Sequence, residues 1–209
     1  MESFCEQRNN TGKIDRKNPD GILLRYTLRS AIIKINFDRR EKGERKMTAE
    51  IICVGTELLL GNIVNTNAQY ISREMAKMGI DLYYQTVVGD NEERLANVLQ
   101  AALGRSELII MTGGLGPTKD DLTKEVAASF FGKELIFDQK TYEHVRSRLE
   151  SYGITKMTES QKKQALIPEG SLAVQNPAGL APGIIMAQGD KAIVMLPGPP
   201  KEMKVVLAE

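Results

Sequence analysis

A glycine-rich loop with two adjacent carboxylates is the segment of this sequence best suited to chemistry. An apolar run is interrupted by Gly113, Gly114 and Gly116, and Asp120 and Asp121 follow before a helical pattern resumes. A strand, a glycine loop and a helix are typical of phosphate-binding segments, because small residues let the backbone approach and free N–H groups at a helix start face an anion. Carboxylates beside a phosphate would repel it, which favours a bridging cation such as Mg²⁺.

A purely structural interpretation of the two carboxylates is also open. One aspartate would cap the following helix by accepting a hydrogen bond at its N-terminus, and the other would be solvated. A single cap accounts for one aspartate only, and the three glycines require a further reason. We therefore favour a phosphate and cation site in this loop.

The segments around the loop predict an α/β fold. Strand-like runs alternate with helical patterns, with strands at 49–54, 80–88 and 108–112 and helices at 66–78 and 92–103. This alternation implies right-handed crossovers and a mostly parallel sheet covered on both faces, a three-layer α/β/α sandwich. Further along the chain, 184–196 predicts a small hairpin and 167–170 predicts a turn.

Acidic residues also follow the other two predicted strands. Glu57 comes after the first strand and Asp90 after the second. Because ligands of open α/β sheets bind beyond the carboxyl ends of the strands, we expect both residues to meet the 113–121 loop at one edge of the sheet. Each has a structural alternative, since Asp90 is placed to cap a helix and Glu57 to hydrogen-bond a neighbouring loop.

The composition excludes several classes of protein. The chain has 209 residues, of which 42% are hydrophobic and 26% charged, as in soluble globular domains. A formal net charge of +1 gives no overall field for nucleic acid or a membrane, and no apolar run is long enough to span a bilayer. The two cysteines lack metal-site spacing, and the single histidine, His144, lies in a charged helical stretch. A cytoplasmic protein without triad chemistry fits these features.

Residues 1–46 differ from the rest of the chain. They hold 12 Lys/Arg against 7 Asp/Glu, whereas residues 47–209 hold 16 against 20. We expect a disordered basic extension or an upstream translated region with Met47 as the true start. Codons for residues 42–44 could contain a bacterial ribosome-binding sequence, a hypothesis that a native N-terminus upstream of Met47 would contradict. The helix that begins near Pro200 reaches the last residue, which predicts a domain boundary or a truncation.

Several motifs together resemble a known family. They are VGTELLLG (54–61), NTN (65–67), GGLGPTKDDLT (113–123), NPAGLAPG (176–183) and LPGPPKEM (196–203). From Met47 to Glu209 the chain resembles the amino-terminal domain of CinA, the competence/damage-inducible protein. More distantly it is similar to the molybdopterin-binding proteins MoaB, MogA and the matching domain of MoeA. These share a glycine loop followed by Asp-(Val/Leu)-Thr, which here is residues 121–123.

The resemblance implies a phosphate-bearing ligand at the edge of the sheet. In CinA-type proteins this domain is associated with divalent-metal-dependent ADP-ribose pyrophosphatase activity, which yields AMP and ribose 5-phosphate. Many bacterial members also carry a carboxy-terminal nicotinamide-nucleotide amidase domain, which is absent from these 209 residues, so that activity is not carried over. Where MogA has basic residues before its aspartate, this chain has Lys119 and Asp120, which favours a metal–diphosphate site over molybdopterin adenylylation.

This chemistry and the resemblance together assign roles to individual residues. Asp121, with Asp120, would hold a divalent metal, Mg²⁺ or Co²⁺, against the diphosphate, while Asp90 and Glu57 would orient water or act as a further ligand or base. The ligand-binding set surrounds these carboxylates and consists of Gly113, Gly114, Gly116, Thr118, Lys119, Asn65, Asn176, Gly179 and Gly198. For the last three residues, ordinary turn chemistry is the alternative.

Three functions from different classes remain open. The favoured one is a metal-dependent pyrophosphatase that acts on ADP-ribose or a related nucleotide sugar. The second is a molybdopterin-binding module of molybdenum cofactor assembly, and the third is a non-catalytic nucleotide-binding or oligomerisation domain. In each case we expect a small-molecule nucleotide-like ligand and a homo-oligomer, with neither nucleic acid nor a membrane as partner.

Overall fold

The computed structural model of the protein describes residues 7–8, 14–15, 32 and 47–208. The expected basic extension over 1–46 therefore lies almost entirely outside the described residues. Of that region, Gln7–Arg8 and Ile14–Asp15 pair as two short antiparallel strands, and Ile32 is buried against the main domain.

Strands and helices alternate as predicted in the first half of residues 47–208, and four consecutive strands precede the last helix. The strands are β1 Thr48–Val54, β2 Asp81–Val88, β3 Leu108–Thr112, β4 Leu135–Phe137, β5 Leu166–Pro168, β6 Leu172–Val174, β7 Gly183–Gln188 and β8 Lys191–Leu196. The helices are α1 Thr56–Leu59, α2 Thr66–Lys77, α3 Glu92–Arg105, α4 Thr123–Phe130, α5 Gln139–Ser151, α6 Glu159–Lys162 and α7 Pro200–Ala208. A 3₁₀ turn, Lys163–Ala165, follows α6.

The main sheet has six strands in the order β2-β1-β3-β8-β7-β6. The pairs β2–β1, β1–β3 and β3–β8 are parallel, whereas β8–β7 and β7–β6 are antiparallel. The expected mostly parallel sheet is confirmed. The predicted hairpin over 184–196 exists as β7 and β8, and it is built into the main sheet, where β8 pairs with β3.

Side chains alternate between two hydrophobic cores, one on each face of the sheet. In β1, Ala49, Ile51 and Cys53 face one core while Ile52 and Val54 face the other. The first core is covered by α2 and α7, and the second by α3 and α4. This arrangement confirms the three-layer α/β/α sandwich, because each buried strand needs apolar cover on both faces.

One local prediction in the second half of the chain is only partly confirmed. Residues 166–168 form β5, which pairs antiparallel with β4, so the turn predicted over 167–170 is limited to residues 169 and 170. Before β5, α6 ends at Lys162 and continues as the 3₁₀ turn. The strand was missed because β5 obtains its hydrogen bonds from a strand about 30 residues away, and the local sequence does not reveal that partner.

The carboxyl ends of β1, β2, β3 and β8 lie at the same edge of the sheet because these strands are parallel. Two helices that leave this edge begin with asparagine caps, since the Asn65 side chain accepts from the Ala68 N–H and the Asn91 side chain from the Arg94 N–H. Within residues 47–208, none of the helices combines the length and the hydropathy required to cross a membrane.

Candidate functional site

A cleft of about 800 Å³ lies at this edge of the sheet. Its walls come from the loops that follow β1, β2, β3 and β8, together with the segment between β6 and β7. Ten of the predicted site residues line it, namely Glu57, Asp90, Gly113, Gly114, Gly116, Thr118, Asp120, Asp121, Gly179 and Gly198. The fold thus brings together residues that are more than 140 positions apart, and the cleft is within the size range of small-molecule sites.

Three other predicted ligand-binding residues do not line the cleft. The Asn65 side chain caps α2 and lies 3.5 Å from Cys53 Sγ, which donates to it. Lys119 is exposed and is not among the residues that line the cleft. Asn176 is fully buried, where it supports the cleft wall from behind.

The glycine loop can follow its path only because two positions lack a side chain. Gly113 has a φ of +100°, and a Cβ there would lie 2.1 Å from the Val54 carbonyl oxygen. Gly114 has a φ of +64°, and its Cβ would lie 2.2 Å from Thr123 Oγ1. The Gly113 N–H donates to the Leu196 carbonyl at 3.1 Å, which ties the loop to the end of β8.

Unpaired backbone donors follow these two tight positions. Within residues 47–208, the N–H groups of Gly114, Leu115 and Gly116 donate to no described residue. All three residues line the cleft. Successive free N–H groups in a glycine loop form a concave site for anions, as in other phosphate-binding loops.

Asp121 closes the end of the glycine loop. Its Oδ2 accepts from the Thr118 N–H at 2.9 Å and from the Thr118 hydroxyl. The carboxylate also lies against Gly116, where a Cβ would be 2.5 Å from Oδ2. The helix-capping interpretation of this aspartate is wrong, because the N-cap residue of α4 is Leu122 and no side chain caps that helix.

Asp90 joins two neighbouring loops through hydrogen bonds. Its Oδ2 accepts from both the N–H and the hydroxyl of Thr56 at 2.9 Å, and its own N–H donates to that hydroxyl at 3.2 Å. The expected helix cap is supplied instead by Asn91. Asp90 therefore fixes the first residue of α1, which carries Glu57 at the cleft.

The charged side chains that line the cleft are all acidic. Five carboxylates line the cleft, namely Glu57, Asp90, Asp120, Asp121 and Glu202. Within residues 47–208, no Lys, Arg or His side chain lines it. In the same part of the chain, no three His, Cys, Asp or Glu side chains are close enough together to hold a metal on their own. Mg²⁺ commonly takes one or two protein carboxylates and completes its shell with phosphate oxygens and water.

Three polar side chains that line the cleft were not among the predicted site residues. Glu202 Oε2 accepts from Asn176 Nδ2 at 2.7 Å and fills the space above Gly179, where a Cβ would lie 2.0 Å from it. Gln164 and Tyr152 approach the cleft from the 3₁₀ turn and from the end of α5. Glu202 follows the proline-rich 197–200 segment, a signal available in the sequence, whereas the other two carry no local signal.

A buried lysine anchors the segment that carries Gln164. Lys124 is 3% exposed, and its ammonium group donates to the carbonyls of Lys163 at 2.9 Å and Leu166 at 3.1 Å. Burial lowers the pKa of Lys124 below its ordinary value, because desolvation disfavours the charged form. His144 supports the opposite wall, with Nε2 lying 3.2 Å from the Gly179 carbonyl oxygen.

Comparison with known families agrees with this architecture. Residues 50–209 match the sequence profile of a family described as a probable molybdopterin binding domain. The chain belongs to this family. Among curated members, a CinA-like protein of Dictyoglomus thermophilum is 53% identical over 157 residues, covering 75% of this chain and 38% of that protein.

Two further relatives show which branch of the family this is. A protein of Clostridium botulinum whose name refers to competence and damage induction is 55% identical over 158 residues, covering 76% of this chain and 38% of its own length. The crystal structure of CinA from Thermoplasma acidophilum is similar at 37% identity with a TM-score of 0.71, covering 78% of this chain and 94% of that one. The chain is thus a CinA-type member, and it spans about two fifths of the length of the curated relatives.

The wider family shares the fold. MoaB from Thermus thermophilus aligns with a TM-score of 0.51 at 20% identity, over 77% of this chain and 87% of that one. The MoaB/MogA-like architecture expected from the glycine loop is therefore confirmed at the level of the fold.

Proposed function

We propose that the cleft binds a small molecule that carries both a phosphate group and a flat heterocycle, with a molybdopterin-type ligand as the first candidate. The three N–H groups of residues 114–116, which donate to no residue within 47–208, are the observation that carries the proposal, since successive free N–H groups in a glycine loop suit an anion. Support for a pterin comes from the family description of a probable molybdopterin binding domain and from relatives named for molybdopterin biosynthesis.

Retention of a pterin by the purified protein tests this candidate directly. Protein purified from a host that makes molybdenum cofactor would be denatured, oxidised and assayed for pterin fluorescence. We expect the wild type to retain pterin at a measurable fraction of one molecule per chain. We expect none in Gly114→Ala, because the new side chain would block the loop. Gly132→Ala is the control, because Gly132 also has a positive φ of +58° and lies away from the cleft. Equal pterin in all three proteins would contradict binding at this loop.

A second candidate is hydrolysis of a diphosphate such as ADP-ribose to AMP and ribose 5-phosphate. The specific observation in its favour is the cleft lining of five carboxylates without a basic side chain, which suits an anionic ligand only when cations accompany it. A bound divalent cation would supply charge neutralisation for the diphosphate. Asp120 and Asp121 would hold such a cation, and the free N–H groups of the loop would bind non-bridging oxygens.

In this reaction, water attacks one phosphorus and the bridging P–O bond breaks, leaving AMP and ribose 5-phosphate. Glu57 and Asp90 are the carboxylates available to accept a proton from that water. Asp90 Oδ2 already accepts two hydrogen bonds from Thr56, so Oδ1 is the oxygen that would accept this proton. Glu57 is exposed, so water can reach its carboxylate.

Product analysis separates this activity from simple binding. Residues 47–209 would be incubated with ADP-ribose, with and without Mg²⁺ or Co²⁺, and products resolved by ion exchange. We expect AMP only with metal, and loss of at least about tenfold in Asp120→Asn, since its carboxylate is exposed and free of loop hydrogen bonds. Asp190→Asn, in the exposed turn between β7 and β8, is the matched control. Well-folded protein that gives no AMP with either metal would leave ligand binding as the function.

A further inference from the structure

The side chain of Gln164 has a buried polar atom that forms no hydrogen bond with the described residues. The residue is 1% exposed, and its Oε1 is buried without a hydrogen-bond partner in the described part of the chain. Buried acceptors in native proteins are nearly always paired, because leaving one unpaired forfeits its hydration. Gln164 nevertheless lines the ligand cleft, so that a bound molecule is in a position to supply the missing donor.

The backbone around Gln164 is held firmly in place. Lys124 donates to the carbonyls of Lys163 and Leu166, on both sides of Gln164. The preceding helix α6 starts with a capping box between Thr158 and Gln161, in which each side chain bonds the other residue's backbone N–H. Because the turn is fixed at both ends, the carboxamide is presented in one place, as a selective binding site requires.

The neighbouring lining residues provide surfaces for a flat ring. Tyr152 lines the same cleft and is 57% exposed, and the Arg148 guanidinium lies over one face of its ring, 5.3 Å from the centroid, which leaves the other face for a ligand. Its hydroxyl accepts from Arg148 Nη2 at 2.8 Å, which orients the ring. Leu180 and Ala178 add apolar contacts from the segment between β6 and β7. Aromatic and apolar faces beside one fixed polar group are the usual components of a heterocycle subsite.

We infer that the Gln164 carboxamide accepts a hydrogen bond from an amino group on the heterocycle of the bound ligand. This inference rests on the proposed function, because it concerns the ring of the same phosphate-bearing ligand. Carboxamide side chains pair well with amino-substituted rings, as they do with adenine. Adenine and pterins both carry such an amino group on an aromatic ring, so Gln164 makes the same contact with either ligand candidate.

The position also explains why the unpaired acceptor is retained. A site built to receive a donor rejects analogues that lack it, because the buried acceptor then stays unpaired in the complex. Gln164 thus makes the cleft selective for amino-substituted rings, while the glycine loop recognises the phosphate. Stability is lost in the free protein and regained only when a suitable ring is bound.

Binding measured by calorimetry tests the inference with the full chain. The probes are AMP, nebularine 5′-monophosphate, which lacks the amino group, ribose 5-phosphate, which lacks the ring, and neopterin 3′-monophosphate. We expect the wild type to prefer AMP over the nebularine compound by roughly tenfold, the equivalent of one hydrogen bond. In Gln164→Met, which keeps the size and removes the acceptor, affinity for AMP and for the pterin should fall by a similar factor. Affinity for the other two probes should stay within about twofold.

Gln175→Met is the matched control. Gln175 Oε1 is also buried without a partner in residues 47–208, but Gln175 does not line the cleft. This variant should therefore bind all four probes like the wild type. The Tm of the ligand-free Gln164→Met protein should equal or exceed that of the wild type, because the substitution removes an unpaired buried acceptor.

The negative results of this experiment distinguish the inference about Gln164 from the proposed function. Unchanged selectivity for AMP in Gln164→Met would overturn the inference and leave the proposed function standing. A fall in Tm with equal losses for every probe would show that Gln164 is only structural, which also overturns it. If the wild type bound none of the four probes, the proposed function itself would fail, and the inference with it.

Discussion

The hydroxyl of Thr123 occupies the space in which a side chain on Gly114 would begin, since a Cβ at Gly114 would lie 2.2 Å from Thr123 Oγ1. The same hydroxyl donates to the Gly113 carbonyl at 2.9 Å. Thr123 is also the first residue of α4. The glycine loop and the start of the helix are therefore locked together, which gives the motif of two glycines and a later threonine a geometric reason.

Gly114→Ala should both destabilise the protein and remove ligand binding. The new methyl group would collide with Thr123 and would also sit on a residue with a φ of +64°, so we expect a loss of about 2–4 kcal/mol in the free energy of unfolding. Urea denaturation and a ligand titration check the two effects.

Gly132→Ala measures the energetic cost of a positive φ alone, without a steric clash of the new methyl group. Gly132 has a φ of +58°, but a Cβ there would meet nothing within 4 Å, so only about 1 kcal/mol should be lost. Equal losses in the two variants would show that the contact with Thr123 adds nothing.

Asp90→Ala should loosen the loop that carries Glu57, because it removes the Oδ2 atom that accepts from both the N–H and the hydroxyl of Thr56. We expect a loss of about 1–2 kcal/mol in the free energy of unfolding by urea titration. Asp90→Asn keeps an acceptor oxygen and removes the charge, so its stability should stay close to that of the wild type. If the charge of Asp90 also takes part in the reaction, Asp90→Asn should lose turnover without losing stability. Equal losses of stability in Asp90→Ala and Asp90→Asn would contradict the hydrogen-bonding role.

Local sequence patterns were sufficient to predict the edge of the sheet at which the cleft lies. The apolar run 108–112 and the glycines that follow it specify a buried strand and a loop, and β3 matches those bounds. Glu57 and Asp90 meet that loop because parallel strands end at one edge, a rule that needs no knowledge of side-chain contacts. The first half of the fold was predictable because its strands and helices alternate with strong periodicity.

Contacts between distant segments explain what the sequence did not reveal. Gln164 reaches the cleft because Lys124, 40 residues earlier, holds its turn in place, and nothing near Gln164 signals that anchor. Asp121 has the expected residue type but bonds back to Thr118 rather than forward to the helix. Patterns of residue type predict which side chains are available, whereas the partner of each polar group depends on packing that only the folded chain fixes.

Asn176→Ala should cause a large loss of stability for a single polar residue. Asn176 is fully buried, donates to the Ala181 carbonyl at 2.9 Å and to Glu202 Oε2 at 2.7 Å, and accepts from the Ala178 N–H at 3.0 Å. Because truncation leaves these partners unpaired, we expect a loss of about 2–4 kcal/mol in the free energy of unfolding. Asn97→Ala, on the exposed face of α3, is the control and should change it by less than about 0.5 kcal/mol. A small effect at Asn176 would show that this wall of the cleft is held by other contacts.

Lys124 should make the stability of the protein rise with pH in the alkaline range. Burial lowers its pKa in the folded state below the ordinary value of 10.5. Between the lowered pKa and 10.5, the unfolded chain binds more protons than the folded one, so the free energy of unfolding increases as pH rises through that window. Urea titrations of the wild type and Lys124→Met from neutral pH to about 10.5 measure this, and the difference should shift in favour of the wild type with rising pH. Lys140→Met, on the exposed face of α5, should show no such trend, and a parallel pH dependence in wild type and Lys124→Met would refute the assignment.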